Sequence, residues 1–190
     1  MLGTDQWLTT TLRYDAKGRV IQTLSDNLQH GEEVVTTRYD FSGKVLSSYH
    51  HHKNPASGTI PATRVLTKHQ YDHAGRLTEV RKQLNDNTTM ERIVAKMEYD
   101  ELGQLKTKKL GSADNGTTYI DQLAYEYNIR GWLKSINKDF VLSPSGTGRW
   151  FGQELSYDHG LRRTSTTATS RDQWKSGQTN TSAPTVTATI

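Results

Sequence analysis

A seven-residue pattern recurs along the chain and limits what it can fold into. Each copy reads Tyr, Asp or Asn, two variable residues, Gly, one variable residue, and then Val or Leu. Five complete copies begin at Tyr14, Tyr39, Tyr71, Tyr99 and Tyr127, and an incomplete sixth begins at Tyr157. Successive tyrosines are 25, 32, 28, 28 and 30 residues apart, a spacing typical of proteins built from stacked supersecondary units. The sequence therefore predicts a repeat protein.

The centre of each copy has the chemistry of a tight β-turn. An Asp or Asn side chain accepts a hydrogen bond from the backbone amide two residues later, and Gly adopts the positive φ of a type I turn followed by a bulge. The Tyr before the turn and the Val or Leu after it hold the two strands together. The predicted signature residues, all with structural roles, are Tyr14, Asp15, Gly18, Tyr39, Asp40, Gly43, Tyr71, Asp72, Gly75, Tyr99, Asp100, Gly103, Tyr127, Asn128 and Gly131.

The residues before the turns alternate in polarity, which is typical of half-buried antiparallel strands. Ile93, Ala95, Met97 and Tyr99, for example, fall on one face of an extended segment. Turn-forming residues also lie midway between copies, and Asp114-Asn115-Gly116 is a type I′ hairpin signal. No ten-residue window has a sustained apolar period of 3.6 residues, so we expect almost no helix.

These features predict an all-β protein in which stacked antiparallel hairpins form a curved, open, twisted sheet. Residues 1–160 would form the repeat region, with five repeats and a partial sixth. Residues 161–190 are rich in Thr and Ser and are expected to be a disordered, low-complexity tail. A native flexible tail and a frameshifted end are both open explanations of this abrupt change.

Stacking has two further consequences. The tyrosines would lie at one height in every repeat and form an aromatic ladder, with each hydroxyl reaching water or a turn backbone. An open sheet also leaves two edges, here residues 2–12 and 150–157, whose backbone groups have no strand partner. We therefore expect edge-to-edge self-association.

Composition excludes several classes of function. Only 33% of residues are apolar and the mean hydropathy is −0.78, too few for the doubly covered sheet of an α/β enzyme. No apolar run could span a membrane, and the N-terminal segment lacks the apolar core of a signal peptide. The absence of Cys excludes disulfides and thiolate metal sites. The net charge of +4 is concentrated in residues 161–190, which leaves a nearly neutral body and argues against nucleic-acid binding.

The repeated Tyr-Asp signature, as in Tyr71-Asp72 and Tyr99-Asp100, resembles the Rhs/YD-repeat family over roughly residues 10–160. The resemblance implies a structural segment of a spiralling β-sheet shell from a bacterial surface or secreted protein. In Rhs relatives the shell encloses a C-terminal toxin, and in the animal teneurins a similar shell serves cell adhesion. The partners implied are the remaining repeats of a larger protein or an encapsulated polypeptide. The family's Asp-Pro-x-Gly core segment and toxin domain have no match in this chain.

The alternative function is binding of surface glycans. Aromatic residues follow Arg in Arg13-Tyr14, Arg38-Tyr39 and Arg149-Trp150, and such pairs stack on sugar rings or single-stranded nucleic acid. Strand alternation favours a structural explanation, in which each Tyr faces the sheet and its Arg neighbour faces solvent.

Other motifs are weaker. His50-His51-His52 could bind Zn²⁺ or Ni²⁺ only adventitiously, because adjacent strand residues point to opposite faces. Gly146–Gly152 lacks the Gly-Lys-Ser/Thr of a phosphate loop and is better explained as a turn before a strand. The repeated aspartates are explained by turn formation, and Asn128 replaces one of them. The sequence therefore predicts no enzyme, no metal site and no cofactor.

Overall fold

The computed structural model describes residues 7–28, 30–143, 149–157 and 188–189. The chain is all-β, and its antiparallel strands lie in sequence order in one open, unclosed sheet. The predicted fold class is confirmed. The strands are β1 (Thr10–Tyr14), β2 (Val20–Asp26), β3 (Glu32–Tyr39), β4 (Val45–Lys53), β5 (Ala62–Tyr71), β6 (Leu77–Leu84), β7 (Arg92–Tyr99), β8 (Leu105–Ser112), β9 (Asp121–Tyr127), β10 (Leu133–Ile136), β11 (Gln153–Ser156) and β12 (Ala188–Thr189), the last pairing in parallel with β11.

Helix is as scarce as the sequence predicts. The described residues contain one 3₁₀ turn, Thr88–Met90, and one five-residue α-helix, α1 (Lys138–Leu142). Within these described ranges, no helix has the length and apolar character needed to cross a bilayer. The predicted disordered tail falls on residues 161–190, which lie outside the described part of the chain apart from the backbone of β12.

The described residues form two compact units. The first contains the residues up to Met97 together with Leu110–Ile120, and the second contains Glu98–Lys109 and the residues from Asp121 onward. The first unit buries Ile93 and Ala95, whereas the second buries Phe140. Most strand residues are only half-buried, as expected for a sheet with few apolar side chains.

The hairpins share one irregularity at the signature. In β5 and β6, Gln70 pairs with Glu79 but Tyr71 pairs with Leu77, so β6 carries one extra residue beside the turn. The same shift precedes Tyr14 in β1 and Tyr39 in β3. A bulge increases local strand twist, and the repeat places one at the same level of each of these hairpins.

The connections between hairpins use left-handed backbone conformations. Asn85 and Asp86 have φ values of 50° and 58°, and Asn115 and Gly116 have φ values of 57° and 97°. A type I′ turn needs positive φ at both central residues, and Asn115 and Gly116 meet that condition. The predicted hairpin is wrong, because these residues lie in a longer loop that runs from residue 113 to residue 120. At Gly31 a β-carbon would lie only 1.8 Å from the Lys53 carbonyl oxygen, which reserves that position for glycine.

Candidate functional site

The signature turn is a closed set of local hydrogen bonds, best seen at Asp72. The Gly75 amide donates to the Asp72 carbonyl at 2.9 Å, and the Asp72 amide donates to the Arg76 carbonyl at 2.9 Å. The Asp72 carboxylate accepts from the Arg76 amide at 2.8 Å and from Arg76 Nε at 2.7 Å. Gly75 has a φ of +82°. The positive φ of Gly75 is as predicted. The carboxylate accepts from the amide four residues later, and in the Asp15 copy it also accepts from the predicted amide two residues later, Lys17, at 2.9 Å.

The other copies use the same geometry. The signature glycines have positive φ, as predicted for Gly75 and Gly103. The values are +75° at Gly18, +97° at Gly43, +82° at Gly75, +83° at Gly103 and +79° at Gly131. In the fifth copy Asn128 Oδ1 accepts from the amides of Arg130 and Trp132, both at 2.9 Å. An amide oxygen thus replaces a carboxylate oxygen without changing the turn.

Hydrogen bonding stabilises the ionised form of these turn carboxylates. The backbone amide of Arg19 is the main cause of the lowered pKa of Asp15, and the Arg76 amide acts in the same way on the pKa of Asp72. Burial alone would raise the pKa of Asp40, but hydrogen bonds from Ser42 and the Lys44 amide outweigh it and lower the pKa. These carboxylates are acceptors for their own turns.

The signature tyrosines connect one hairpin to the hairpin before it. In four cases the hydroxyl donates to the backbone carbonyl of the Val or Leu that ends the preceding signature. These hydroxyl–carbonyl bridges join Tyr39 to Val20 at 3.0 Å, Tyr71 to Val45 at 2.8 Å, Tyr127 to Leu105 at 3.0 Å and Tyr157 to Leu133 at 2.8 Å. Burial raises the pKa of Tyr71 and of Tyr127, which keeps both phenols protonated as donors.

Three of the tyrosine rings pack against the residue that follows the preceding signature Gly. The Arg19 guanidinium lies 4.8 Å from the centre of the Tyr39 ring, and Lys44 Nζ lies 5.8 Å from that of Tyr71. At the last signature Trp132 takes this position, with ring centres 5.2 Å from Tyr157. Here the predicted tyrosine-on-tyrosine ladder is wrong. Signature tyrosines lie two strands apart, about 9.5 Å, which exceeds the ~4.5–7 Å of an aromatic pair.

Neighbouring turns also contact each other directly. Arg19 Nη1 donates to the Asp40 carbonyl at 2.9 Å, and Lys17 Nζ donates to the Phe41 carbonyl at 3.3 Å. Lys17 Nζ also lies 4.1 Å from the centre of the Phe41 ring. Arg19, the residue after the first signature Gly, therefore acts on three groups: its own Asp15, the next Tyr ring and the next turn.

The histidine segment shows the alternation that the sequence predicts. His51 pairs with Val34 and Arg64, whereas His50 and His52 project on the other face and both hydrogen-bond to the carboxylate of Glu33. Burial of Glu33 would raise its pKa, but the two imidazoles outweigh burial and lower it. Across residues 7–28, 30–143 and 149–157, no three His, Asp or Glu side chains are arranged to hold a metal ion.

The three aromatic residues that the sequence suggested for glycan binding differ in their exposure to solvent. Tyr39 is covered by Arg19, and its hydroxyl is engaged with Val20. Tyr14 and Trp150 are about half exposed, at 55% and 51%. The sequence therefore identified exposed rings in two of its three Arg–aromatic pairs.

Sequence reasoning missed the buried polar residue Asn137. Asn137 is fully buried with a φ of 47°, donates from Nδ2 to the Phe151 carbonyl at 2.7 Å, and accepts at Oδ1 from the Ala124 amide at 2.8 Å. It joins β9 to the segment that precedes β11 and begins α1. It lies between two signatures and belongs to no repeated motif, so no sequence signal marked it.

A second missed feature is a cluster of charged residues in the first unit. Glu79 is 7% exposed and accepts from Arg81, while Lys68 Nζ lies 2.5 Å from Glu91 Oε2. Arg81 also donates to Asn115 Oδ1 at 2.6 Å. These contacts join β5 and β6 to the loop after β8.

Comparison with models of protein families and with curated proteins finds no match to this chain.

Proposed function

We propose that this chain is a structural segment of a β-sheet shell of the Rhs/YD-repeat type, which scaffolds or encloses a partner polypeptide. The observation that carries the proposal is the bridge from a tyrosine to the preceding hairpin, which recurs in four repeats, as from Tyr71 to Val45. In this bond a signature residue of one repeat donates to the backbone carbonyl of a signature residue in the neighbouring repeat. The signature therefore serves assembly of a continuous wall.

The engagement of the signature side chains supports a structural role. Asp15 and Asp72 accept hydrogen bonds from their own turns, and the ring of Tyr71 lies beneath Lys44. A catalytic carboxylate or phenol must reach substrate with a pKa suited to proton transfer. Here the pKa of each Asp is lowered and that of Tyr71 is raised, which holds each group in its ordinary charge state.

Polar rows across the strands support the same proposal. Arg13 Nη1 donates to Gln22 Oε1 at 2.9 Å, and Gln22 Nε2 donates to Thr36 Oγ1 at 3.1 Å. These residues lie on β1, β2 and β3, so the row runs perpendicular to the strands. A sheet face lined in this way stays hydrated beside a partner.

Because the sequence resembles the Rhs/YD-repeat family, we also propose that the protein is secreted or lies at the cell surface.

Removal of one whole repeat tests the structural proposal. Deletion of residues 15–39 joins Tyr14 to Asp40, so β1 takes the position of β3 beside β4 and the signature is preserved. The shortened protein is expected to keep its β-type circular dichroism and a cooperative urea transition. The matched control deletes residues 15–26, which leaves β1 and β3 without a turn of the required geometry. Equal loss of structure in both deletions would contradict a wall made of interchangeable repeats.

The enclosing role has its own test. The full chain is mixed with dye-labelled, reduced and carboxymethylated lactalbumin, a permanently unfolded polypeptide, and fluorescence anisotropy and protease protection are measured. We expect raised anisotropy and slower cleavage of the labelled polypeptide. A response equal to that of an unrelated folded protein of the same mass would contradict enclosure and leave only scaffolding.

A further inference from the structure

Two adjoining cavities lie in the first unit, outside the signature turns. One, of about 490 Å³, lies between the start of β7 and the segment that ends β8 and leads to β9. The other, of about 480 Å³, shares Arg92 and Ala113 with it. Each is within the ~300–1,000 Å³ of small-molecule sites. The two together offer a volume for a ligand of more than one ring.

Each wall of the larger cavity contains one irregularity of the strand backbone. Val80 pairs with Ala95 and Arg81 pairs with Ile93, so Val94 is an extra residue in β7 and lines the larger cavity. On the opposite wall, Gly111 has a φ of +60°, and a β-carbon there would lie 2.6 Å from Ile120 Cδ1. The register shift at Val94 interrupts the ladder at one wall, and the left-handed backbone of Gly111 redirects the chain at the other.

The loop between these walls is fixed by Asp114. Its carboxylate accepts from Ser112 Oγ at 2.8 Å and from the Thr118 amide at 2.9 Å. Hydrogen bonds from the Thr118 hydroxyl and amide hold the pKa of Asp114 far below its usual range. The loop is therefore ordered before any ligand arrives, which lowers the entropic cost of binding.

The two cavities differ in chemistry. The larger one presents Ile93, Val94 and Ile120, and Val94 and Ile120 are 40% and 74% exposed. The smaller one presents Thr88, Thr89, Asn115 and charged side chains. A ligand that spans both needs C–H groups at one end or face and hydroxyl groups at the other.

The charges of the smaller cavity balance. Arg81 and Arg92 face Glu91 and Asp114. Arg92 Nη1 donates to the carbonyls of Thr89 and Glu91, both at 2.8 Å, and Arg81 lies in ion pairs with Glu79 and Glu91. An anionic ligand would have to displace these internal acceptors. A neutral ligand that exchanges hydrogen bonds with both charges and hydroxyls suits the site better.

We propose that the paired cavities bind a neutral oligosaccharide. The apolar face of one sugar ring lies against Val94 and Ile120, and hydroxyls of the next ring bond to Thr88, Asn115 and Arg92. Sugar rings carry C–H groups on their faces and hydroxyls at their edges, which matches the division between the cavities. This site is independent of the shell proposal and differs from the exposed rings of Tyr14 and Trp150.

Saturation-transfer NMR on the full chain tests the site. Maltotriose, cellotriose and the trisaccharide of N-acetylglucosamine are the probes, and at least one is expected to receive saturation. Val94→Asp places a charge in the apolar half and is expected to reduce the transfer at least tenfold. Ile60→Asp is the matched control, because Ile60 is 58% exposed and lies in the loop after β4, and it is expected to leave the transfer unchanged.

Three outcomes would overturn the proposal. Absence of transfer to all three sugars excludes the ligand class. Transfer that survives Val94→Asp but disappears in Trp150→Ala places the binding at an exposed ring instead. Stronger transfer to an acidic oligosaccharide than to any neutral one contradicts the charge argument. If Val94→Asp lowers the melting temperature, Ile120→Asp takes its place, since most of the Ile120 side chain is already solvent-exposed.

Discussion

The Tyr71 hydroxyl donates a 2.8 Å hydrogen bond to the Val45 carbonyl, across the boundary between two hairpins. Within its own hairpin, Tyr71 pairs with Leu77. One side chain thus links three consecutive strands, β4, β5 and β6. The stability of a repeat therefore depends on the repeat before it.

Tyr71→Phe is expected to lower the free energy of unfolding by about 1 kcal/mol, the usual net value of one hydrogen bond. The ring, and its contact with Lys44, would be kept. Tyr14→Phe is the matched control, since Tyr14 is 55% exposed on β1, and it should change stability by less than about 0.5 kcal/mol. Urea denaturation measures both. Equal effects at the two positions would show that the bridge contributes nothing.

Gly43→Ala is expected to destabilise by about 1 kcal/mol or more, because Gly43 has a φ of +97° and alanine is strained there. A β-carbon at Gly43 would meet no atom within 4 Å, so conformational strain alone is measured. Gly58→Ala also enters open space but at a φ outside the left-handed region. A loss of stability in Gly58→Ala as large as that in Gly43→Ala would contradict the requirement for positive φ in the turn. Thermal and urea unfolding supply the comparison.

Asp100→Asn should be nearly neutral, whereas Asp100→Ala should cost about 1 kcal/mol. Asp100 Oδ1 accepts from the Gln104 amide at 2.7 Å, and an asparagine oxygen can accept the same bond, as Asn128 does in the fifth copy. The reciprocal change, Asn128→Asp, should likewise be tolerated. Unfolding free energies of the three variants decide whether the acceptor oxygen or the negative charge matters.

Asn137→Gly is expected to cost about 3 kcal/mol, since it leaves the Ala124 amide and the Phe151 carbonyl unpaired in a buried site, at ~1–3 kcal/mol each. Glycine tolerates the φ of 47° at this position, so backbone strain does not contribute. Amide hydrogen exchange at Ala124 should accelerate at the same time. Unchanged exchange would mean that water replaces the side chain.

Glu33→Gln is expected to reduce the loss of stability in acid. The pKa of Glu33 is lowered from the ordinary 4.5 in the folded protein, so its carboxylate stabilises the fold fully above that value. This stabilisation is lost as the pH falls through the lower folded-state pKa. Urea midpoints at pH 6, 4.5 and 3 should therefore converge for wild type and variant at the lowest pH. The exposed Glu32→Gln serves as control, and a constant difference at all three pH values would contradict the prediction.

The turns were predictable because their contacts are local. Asp72, Gly75 and Arg76 lie within five positions of one another, and their roles follow from backbone preferences alone. The pattern also predicted strand alternation and the order of hairpins, because each turn can only return the chain antiparallel. Periodicity thus sufficed for the fold class.

The contacts between repeats were less accessible to sequence reasoning. The cover of Tyr71 by Lys44 depends on the distance between strands and on which side chain lies between two tyrosines, neither of which a spacing of 28 residues expresses. Asn137 and the loop around Asp114 occur once each, so repetition could not mark them. Their importance comes from burial and from partners distant in sequence.

The tyrosine bridge also has a polarity. In all four bridges described above, the donor belongs to the later repeat and the acceptor to the earlier one, as in the pairs Tyr39–Val20 and Tyr71–Val45. Two repeats can therefore form the bridge in one order only, with the acceptor carbonyl in the first and the donor hydroxyl in the second. A module grafted ahead of β1 would have to offer a carbonyl at the level of Tyr14, while one grafted at the opposite end would have to bring its own phenol. An engineered protein in which the order of donor and acceptor is reversed between two neighbouring repeats would lose the hydroxyl–carbonyl bridge between them.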